Sequence, residues 1–193
     1  MTRIAIIVGS TRPGRRAMAV AQWVHESAQR HDAGATFDIL DVADFGLPLL
    51  DETNAAIFGS YEHPHTVRWA TAIDSHDGFV FVTPEYNHSF PAALKNAIDF
   101  LFREWNDKAA AIVSYGLQQG VRAAEQLRLV LAEVKVATVR SQTALSVVTD
   151  FAGEDSPAPG SVSPSPHQQE ALTRMLDEVV AWSGALRSLR VPT

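Results

Sequence analysis

Arg3-Ile4-Ala5-Ile6-Ile7-Val8-Gly9-Ser10-Thr11-Arg12-Pro13-Gly14-Arg15-Arg16-Ala17 opens the chain and sets its architecture. Arg3 to Val8 is a near-continuous run of β-branched and small apolar residues, as in a strand covered on both faces of a parallel sheet. From Ala17 onward, Val20, Ala21, Val24 and Ala28 fall at helical spacing. Between them lies a loop with two glycines, two hydroxyls and three arginines. Glycine permits tight turns and close approach to the main chain. A helix N-terminus offers unpaired N–H groups and the positive end of its dipole, and an arginine can fork onto a phosphate. The stretch reads as strand, anion-binding loop and helix, a cradle for a phosphate monoester.

The same alternation continues down the chain. Strands are expected at Thr36–Asp41, Gly78–Thr83, Ala109–Val113 and Lys135–Val139. Helices are expected over Thr66–Ile73, from Pro91 through Leu101, and over Gly120–Val134. Asp44 to Ser60 reads as a long surface loop. Phe151 to Pro166, with four prolines, two glycines and four serines, reads as an exposed loop of little structure. A last helix is signalled by Ser165 as N-cap, Pro166 at the first position and Gln168 at the capping-box position. Alternating strands and helices make an α/β fold, a doubly wound three-layer sandwich with a five-stranded parallel sheet. Residues 1–193 are expected to form a single domain. Ligands of such sheets sit outside the carboxyl ends of the strands, where the strand order reverses. Polar loops after strands one, three and four would meet there.

Composition narrows the function. The 16 Lys and Arg against 22 Asp and Glu give a net charge of −6, which argues against nucleic acid or an anionic membrane as partner. The chain has no cysteine, so thiolate metal sites, disulfides and cysteine nucleophiles are excluded, and redox chemistry would reside in a bound cofactor. With no signal-peptide shape and no membrane-length apolar run, a cytoplasmic protein is expected. Two phosphate fingerprints fail. Gly9 and Gly14 have P-loop spacing, but Arg15 and Arg16 stand where lysine and a hydroxyl are needed. Thr11 occupies the second glycine position of the dinucleotide pattern. No Gly-x-Ser-x-Gly elbow supports a hydrolase.

Gly9-Ser10-Thr11-Arg12-Pro13-Gly14-Arg15, Pro84-Glu85-Tyr86-Asn87 and Ser114-Tyr115-Gly116, in order and at strand ends, resemble the NADPH-dependent FMN reductase family. These are flavodoxin-like proteins that include chromate, quinone and azo-dye reductases. The resemblance takes in the helix start Lys95-Asn96-Ala97-Ile98-Asp99 and nearly the whole chain. It implies FMN as cofactor and NADPH or NADH as co-substrate. Hydride would pass from NAD(P)H to bound FMN, then to a small-molecule acceptor: a quinone, free flavin, azo compound or metal oxyanion. By position, Ser10, Arg12, Gly14, Arg15 and Arg16 would hold the 5′-phosphate. Pro84, Glu85, Tyr86 and Asn87 would follow the isoalloxazine edge, and Ser114, Tyr115 and Gly116 would border it. Hydride transfer requires stacking rather than a protein acid or base, so no catalytic side chain is assigned. The resemblance also implies a homodimer or homotetramer. An FMN-binding electron carrier reduced by a partner protein is the alternative, although no dense acidic docking face is apparent.

Several residues carry a second reading. Leu117-Gln118-Gln119 replaces the glycines usual in this family, and its bulk is expected to narrow the space beside the flavin. Glu85 reads as a solvated loop carboxylate. Tyr86 stands near the flavin or in a subunit contact, and His88 at the cofactor mouth or merely exposed. His63 and His65, near Glu62, suggest a metal pair without a firm third ligand. Trp69, Trp105 and Trp182 are expected on helices. Phe100-Leu101-Phe102, too apolar for one helix face, suggests a subunit interface.

Overall fold

The alternating pattern closes into one parallel sheet. In this computed structural model, residues 1–32, 34–152 and 161–190 are described. The strands are β1 (Thr2–Val8), β2 (Ala35–Asp41), β3 (Gly78–Pro84), β4 (Lys108–Gly116) and β5 (Val136–Ser146). The helices are α1 (Ala17–His31), α2 (Pro64–Asp74), α3 (Ala92–Asp99), α4 (Val121–Glu133) and α5 (Pro166–Leu186). The strands lie in the order β2-β1-β3-β4-β5, and every pairing is parallel. This is the flavodoxin-like order, with its switch point between β1 and β3.

Burial follows the two-residue period of each strand. Ile4, Ile6 and Val8 of β1 face a core shared with α1 and α5, while Ala5 and Ile7 face one shared with α2, α3 and α4. Both sets are fully buried, which is why the strand reads as a continuous apolar run. Helix α5 starts as expected: Ser165 Oγ accepts from Gln168 N, and Ser165 N donates to Gln168 Oε1. The stretch after β2 is mostly irregular, holding 3-10 turns at Val42–Phe45 and Ala56–Phe58. Of the low-complexity loop, residues 153–160 lie outside the described residues; its flanks meet in a bridge between Phe151 and Val162.

Three expectations are corrected. Strand β5 runs on to Ser146, seven residues beyond Val139. Its register slips beside Ala111, where Ala110 faces Thr138 but Ile112 faces Gln142. This bulge on an edge strand breaks the apolar pattern. Helix α3 ends at Asp99, so Trp105 sits in the turn leading to β4, not on a helix. Trp105 is wholly buried there and donates Nε1–H to Ile98 O at 3.1 Å. Phe100 and Leu101 likewise point into the core beneath α2 and α3, and supply no exposed face for a partner.

Candidate functional site

The first loop turns sharply and leaves hydrogen-bond donors exposed. Gly9 N–H donates to Val82 O at 2.9 Å, and a Cβ at Gly9 would lie only 2.8 Å from Leu94 Cδ2. Glycine therefore lets the loop leave the sheet in contact with β3 and α3. Arg15 N donates to Arg12 O across Pro13 and Gly14, whose φ is 68°. Proline first and a left-handed glycine second is the pattern of a type II turn. Helix α1 then begins behind Arg16 with no side-chain cap, so its first N–H groups are free of one. Nothing lies within 4 Å of a Cβ built on Gly14.

The three arginines divide their tasks. Among the described residues, the Arg12 guanidinium has no hydrogen-bond or ion-pair partner. Arg15 pairs through Nη2 with Oδ2 of Asp41, a buried carboxylate at the end of β2. Arg16 donates to Val147 O at 3.3 Å and covers the Phe151 ring at 4.8 Å, pinning the segment after β5. Ser10 is fully buried, and its hydroxyl meets the Tyr86 hydroxyl at 2.9 Å. That contact ties the loop after β1 to the loop after β3.

The third-strand loop is held from several sides. Glu85 N donates to Tyr115 O, and Tyr86 and Ser89 exchange both backbone bonds. Between them Asn87 and His88 have φ of 50° and 71°, the left-handed pair of a type I′ turn. Asparagine and histidine both enter that region more readily than most other residues. Arg122 Nη1 donates to His88 Nε2 at 2.7 Å, and Gln126 Nε2 donates to His88 O at 2.7 Å. Glu85 is not a solvated carboxylate: its side chain is 7% exposed and accepts from the Arg122 backbone and guanidinium at the start of α4. Burial opposes its charge, but the Arg122 bonds outweigh this and hold its pKa below the ordinary value.

The fourth-strand loop is held just as closely. Ser114 is fully buried and donates Oγ–H to Gln119 O at 2.8 Å. Tyr115 stacks obliquely on Phe151 at 5.9 Å; burial, with Tyr86 adding to it, pushes its phenol pKa well up. Leu117, Gln118 and Gln119 stand exposed at the loop tip. Gly120 returns the chain under Tyr115 with φ 71°. His63 and His65 stack at 5.2 Å and both reach Asp51. No group of three or more metal-ligating side chains occurs among the described residues. Asp41 and Arg122 carry no signal in the sequence, since their partners are remote in the chain and neither sits in a motif.

Loops of this kind at the ends of β1, β3 and β4 have a counterpart among known proteins. The model of the NADPH-dependent FMN reductases matches residues 2–150. The chain belongs to this family. An NAD(P)H-dependent FMN reductase of Schizosaccharomyces pombe is 39% identical over 150 residues, covering 77% of this chain and 74% of the relative. The 2-hydroxy-1,4-benzoquinone reductase of a Burkholderia species is 31% identical over 187 residues, covering 93% of this chain and 95% of the relative. The flavoenzyme NAD(P)H:(acceptor) oxidoreductase FerB of Paracoccus denitrificans shares the fold, with a TM-score of 0.73 at 24% identity over 96% of this chain and 98% of that one. As a member of the FMN reductase family, the chain is an FMN-dependent NAD(P)H oxidoreductase. An electron carrier is not favoured. Among the described residues, no helix is long and apolar enough to cross a membrane.

Proposed function

We propose that the loops ending β1, β3 and β4 form the FMN site, and that the reducing equivalents pass to a quinone. The 5′-phosphate would be held by Ser10, by Arg12 and by the turn through Gly14, Arg15 and Arg16. One observation carries this reading: the entrance to α1 is almost all donor, with an uncapped helix start, an open glycine turn and an arginine whose guanidinium has no partner among the described residues. Those residues fit a phosphate monoester. Pro84, Glu85, Tyr86 and Asn87 would lie along the isoalloxazine, with Ser114, Tyr115 and Gly116 bordering it from β4.

When bound, FMN supplies the hydride and two-electron chemistry. The chain's own residues anchor and orient. Glu85 is spent on Arg122, Ser114 on Gln119, and Tyr86 on Ser10, so their side chains fix the loops while main-chain groups remain to face a cofactor. Fixed main-chain dipoles stabilise developing negative charge without reorganising. The quinone is suggested by the Burkholderia relative, which matches nearly the full chain. Anaerobic NADPH should bleach the visible band of FMN-loaded protein, and 2-hydroxy-1,4-benzoquinone should restore it within the turnover time. Restoration by chromate or an azo dye but not by the quinone would overturn the acceptor.

We also propose a homodimer or homotetramer acting in the cytoplasm. Phe90, Ala92, Leu129 and Val130 line a depression of about 570 Å³ between α3 and α4, and Leu129 is 75% exposed. Leu129→Glu should shift the light-scattering mass towards the monomer; an unchanged mass would remove this face from the interface.

A further inference from the structure

We propose that Asp41 is a built-in counter-ion that competes with the flavin phosphate for Arg15, so the site holds FMN less tightly than its three arginines would otherwise allow. This rests on the phosphate-loop reading above. Asp41 ends β2 directly beside Val8, the last residue of β1. It is 5% exposed and cannot swing away, because Oδ1 accepts from Ala43 N at 3.0 Å. Its other oxygen, Oδ2, takes Arg15 Nη2. The Arg15 Nε is buried and has no acceptor among the described residues. A buried guanidinium N–H left without a partner is costly, and a phosphate oxygen is the acceptor that would relieve it.

Charge points the same way. Arg16 is turned to Val147 and Phe151, and Arg12 is unpartnered among the described residues. Arg15 is thus the guanidinium shared between a resident anion and an incoming one. A fixed carboxylate in a half-buried site repels a phosphate dianion and neutralises part of the cation that would attract it. Without ligand the same carboxylate keeps Arg15 from being a bare buried cation. The arrangement stabilises the empty loop and limits affinity for the phosphate, a property suited to a flavin that exchanges with solution.

The test compares FMN with riboflavin, which lacks the phosphate, by titrating apoprotein and following flavin fluorescence. Asp41→Asn keeps the N-cap acceptor and removes the charge. Asp41→Ser does the same with a shorter side chain, should the first variant fold poorly. We expect riboflavin affinity to stay as in the parent and the FMN-to-riboflavin affinity ratio to rise about fivefold. In Asp41→Asn/Arg15→Gln that gain should vanish, as coupling of the two residues requires. An unchanged or lower ratio in both single variants overturns the inference while leaving the loop as a phosphate site. Equal affinity of the parent protein for FMN and riboflavin overturns the phosphate-loop reading, and this inference with it. A merely structural Asp41 would weaken both flavins together, which also refutes competition.

Discussion

Gly120→Ala is expected to be among the most damaging single-methyl additions in the molecule. Gly120 has φ 71°, and a Cβ there would lie 2.8 Å from Tyr115 N, 2.9 Å from Tyr115 O and 3.0 Å from Ser114 Cβ. The left-handed conformation alone costs an L-residue roughly 1–2 kcal/mol. The clash adds about 1–3 kcal/mol, as in an overpacked core. It is not easily relieved, because two of the three atoms are backbone of β4, paired with β3 on one side and β5 on the other. Together the loss is about 2–5 kcal/mol, or roughly 5–15 °C in Tm for a chain of this size. Tyr115 O also accepts from Glu85 N, so displacing it disturbs the loop after β3 as well. The neighbouring residue provides the contrast. Gln119 already has φ 58°, and its side chain is exposed. Gln119→Gly should therefore stabilise, by about 0.5–1 kcal/mol, relief of the left-handed cost exceeding the added entropy of the unfolded chain. Urea unfolding followed by tryptophan fluorescence measures both. The reasoning fails if Gly120→Ala lies within about 1 kcal/mol of the parent protein, or if Gln119→Gly is the less stable of the two.

Three further outcomes follow from individual contacts. Arg12→Ala should weaken FMN binding about 10- to 100-fold, as expected for losing a charge-assisted bond, with little change in stability because the Arg12 guanidinium has no partner among the described residues; normal affinity by titration would remove Arg12 from the site. Burial opposes the charge of Asp77, but the Arg3 N–H and the guanidiniums of Arg187 and Arg190 outweigh it and hold its pKa at about 2 against an ordinary 3.8. A depressed carboxylate contributes stability that is present above its unfolded pKa and lost as pH falls through the folded one. The stability gap between the parent and Asp77→Asn, about 1–2 kcal/mol at neutral pH, should thus close as pH falls from 4 towards 2; a gap constant over that window contradicts the assignment. Phe100→Ala should cost about 3–5 kcal/mol as a core truncation, independently of protein concentration, whereas a loss that grows on dilution would return Phe100 to an interface.

The sheet was legible because strands buried on both faces carry apolar residues without interruption. Ile4 to Val8 and Phe79 to Val82 show it plainly, and both runs are fully buried. Strand β5 hid its second half for the converse reason. It lies at the sheet edge, and its bulge places Val139, Arg140 and Ser141 opposite one residue, with Gln142 and Thr143 after them. Polar residues there are how an edge avoids pairing with another chain, and they end the apolar run by which a strand is recognised. Phe100 and Leu101 misled because helical spacing was extended past the end of α3. Once the helix stops at Asp99, the same residues reach the core from a turn.

The site was legible as letters and not as contacts. Three arginines in a glycine loop suggest three phosphate ligands, yet Arg15 meets a carboxylate 26 residues away and Arg16 a carbonyl 131 residues away. Neither separation leaves a local pattern. The Pro84-Glu85-Tyr86-Asn87 motif shows the same thing more sharply. Pro84 completes the β3 ladder, Glu85 braces the start of α4, and Tyr86 meets Ser10 across the switch point. Asn87 supplies a left-handed turn residue, and among the described residues it alone of the three polar side chains has no internal partner. A motif that reads as a set of ligands is thus largely a set of braces. What such braces make rigid is main chain, and rigid main-chain donors can favour one charge state of a cofactor without a side chain that ionises. If that is their purpose, Glu85→Gln should loosen the loop and shift the potential of bound FMN while leaving the phosphate-dependent affinity ratio almost unchanged. A shifted ratio with an unmoved potential would mean that Glu85 acts on the phosphate site instead.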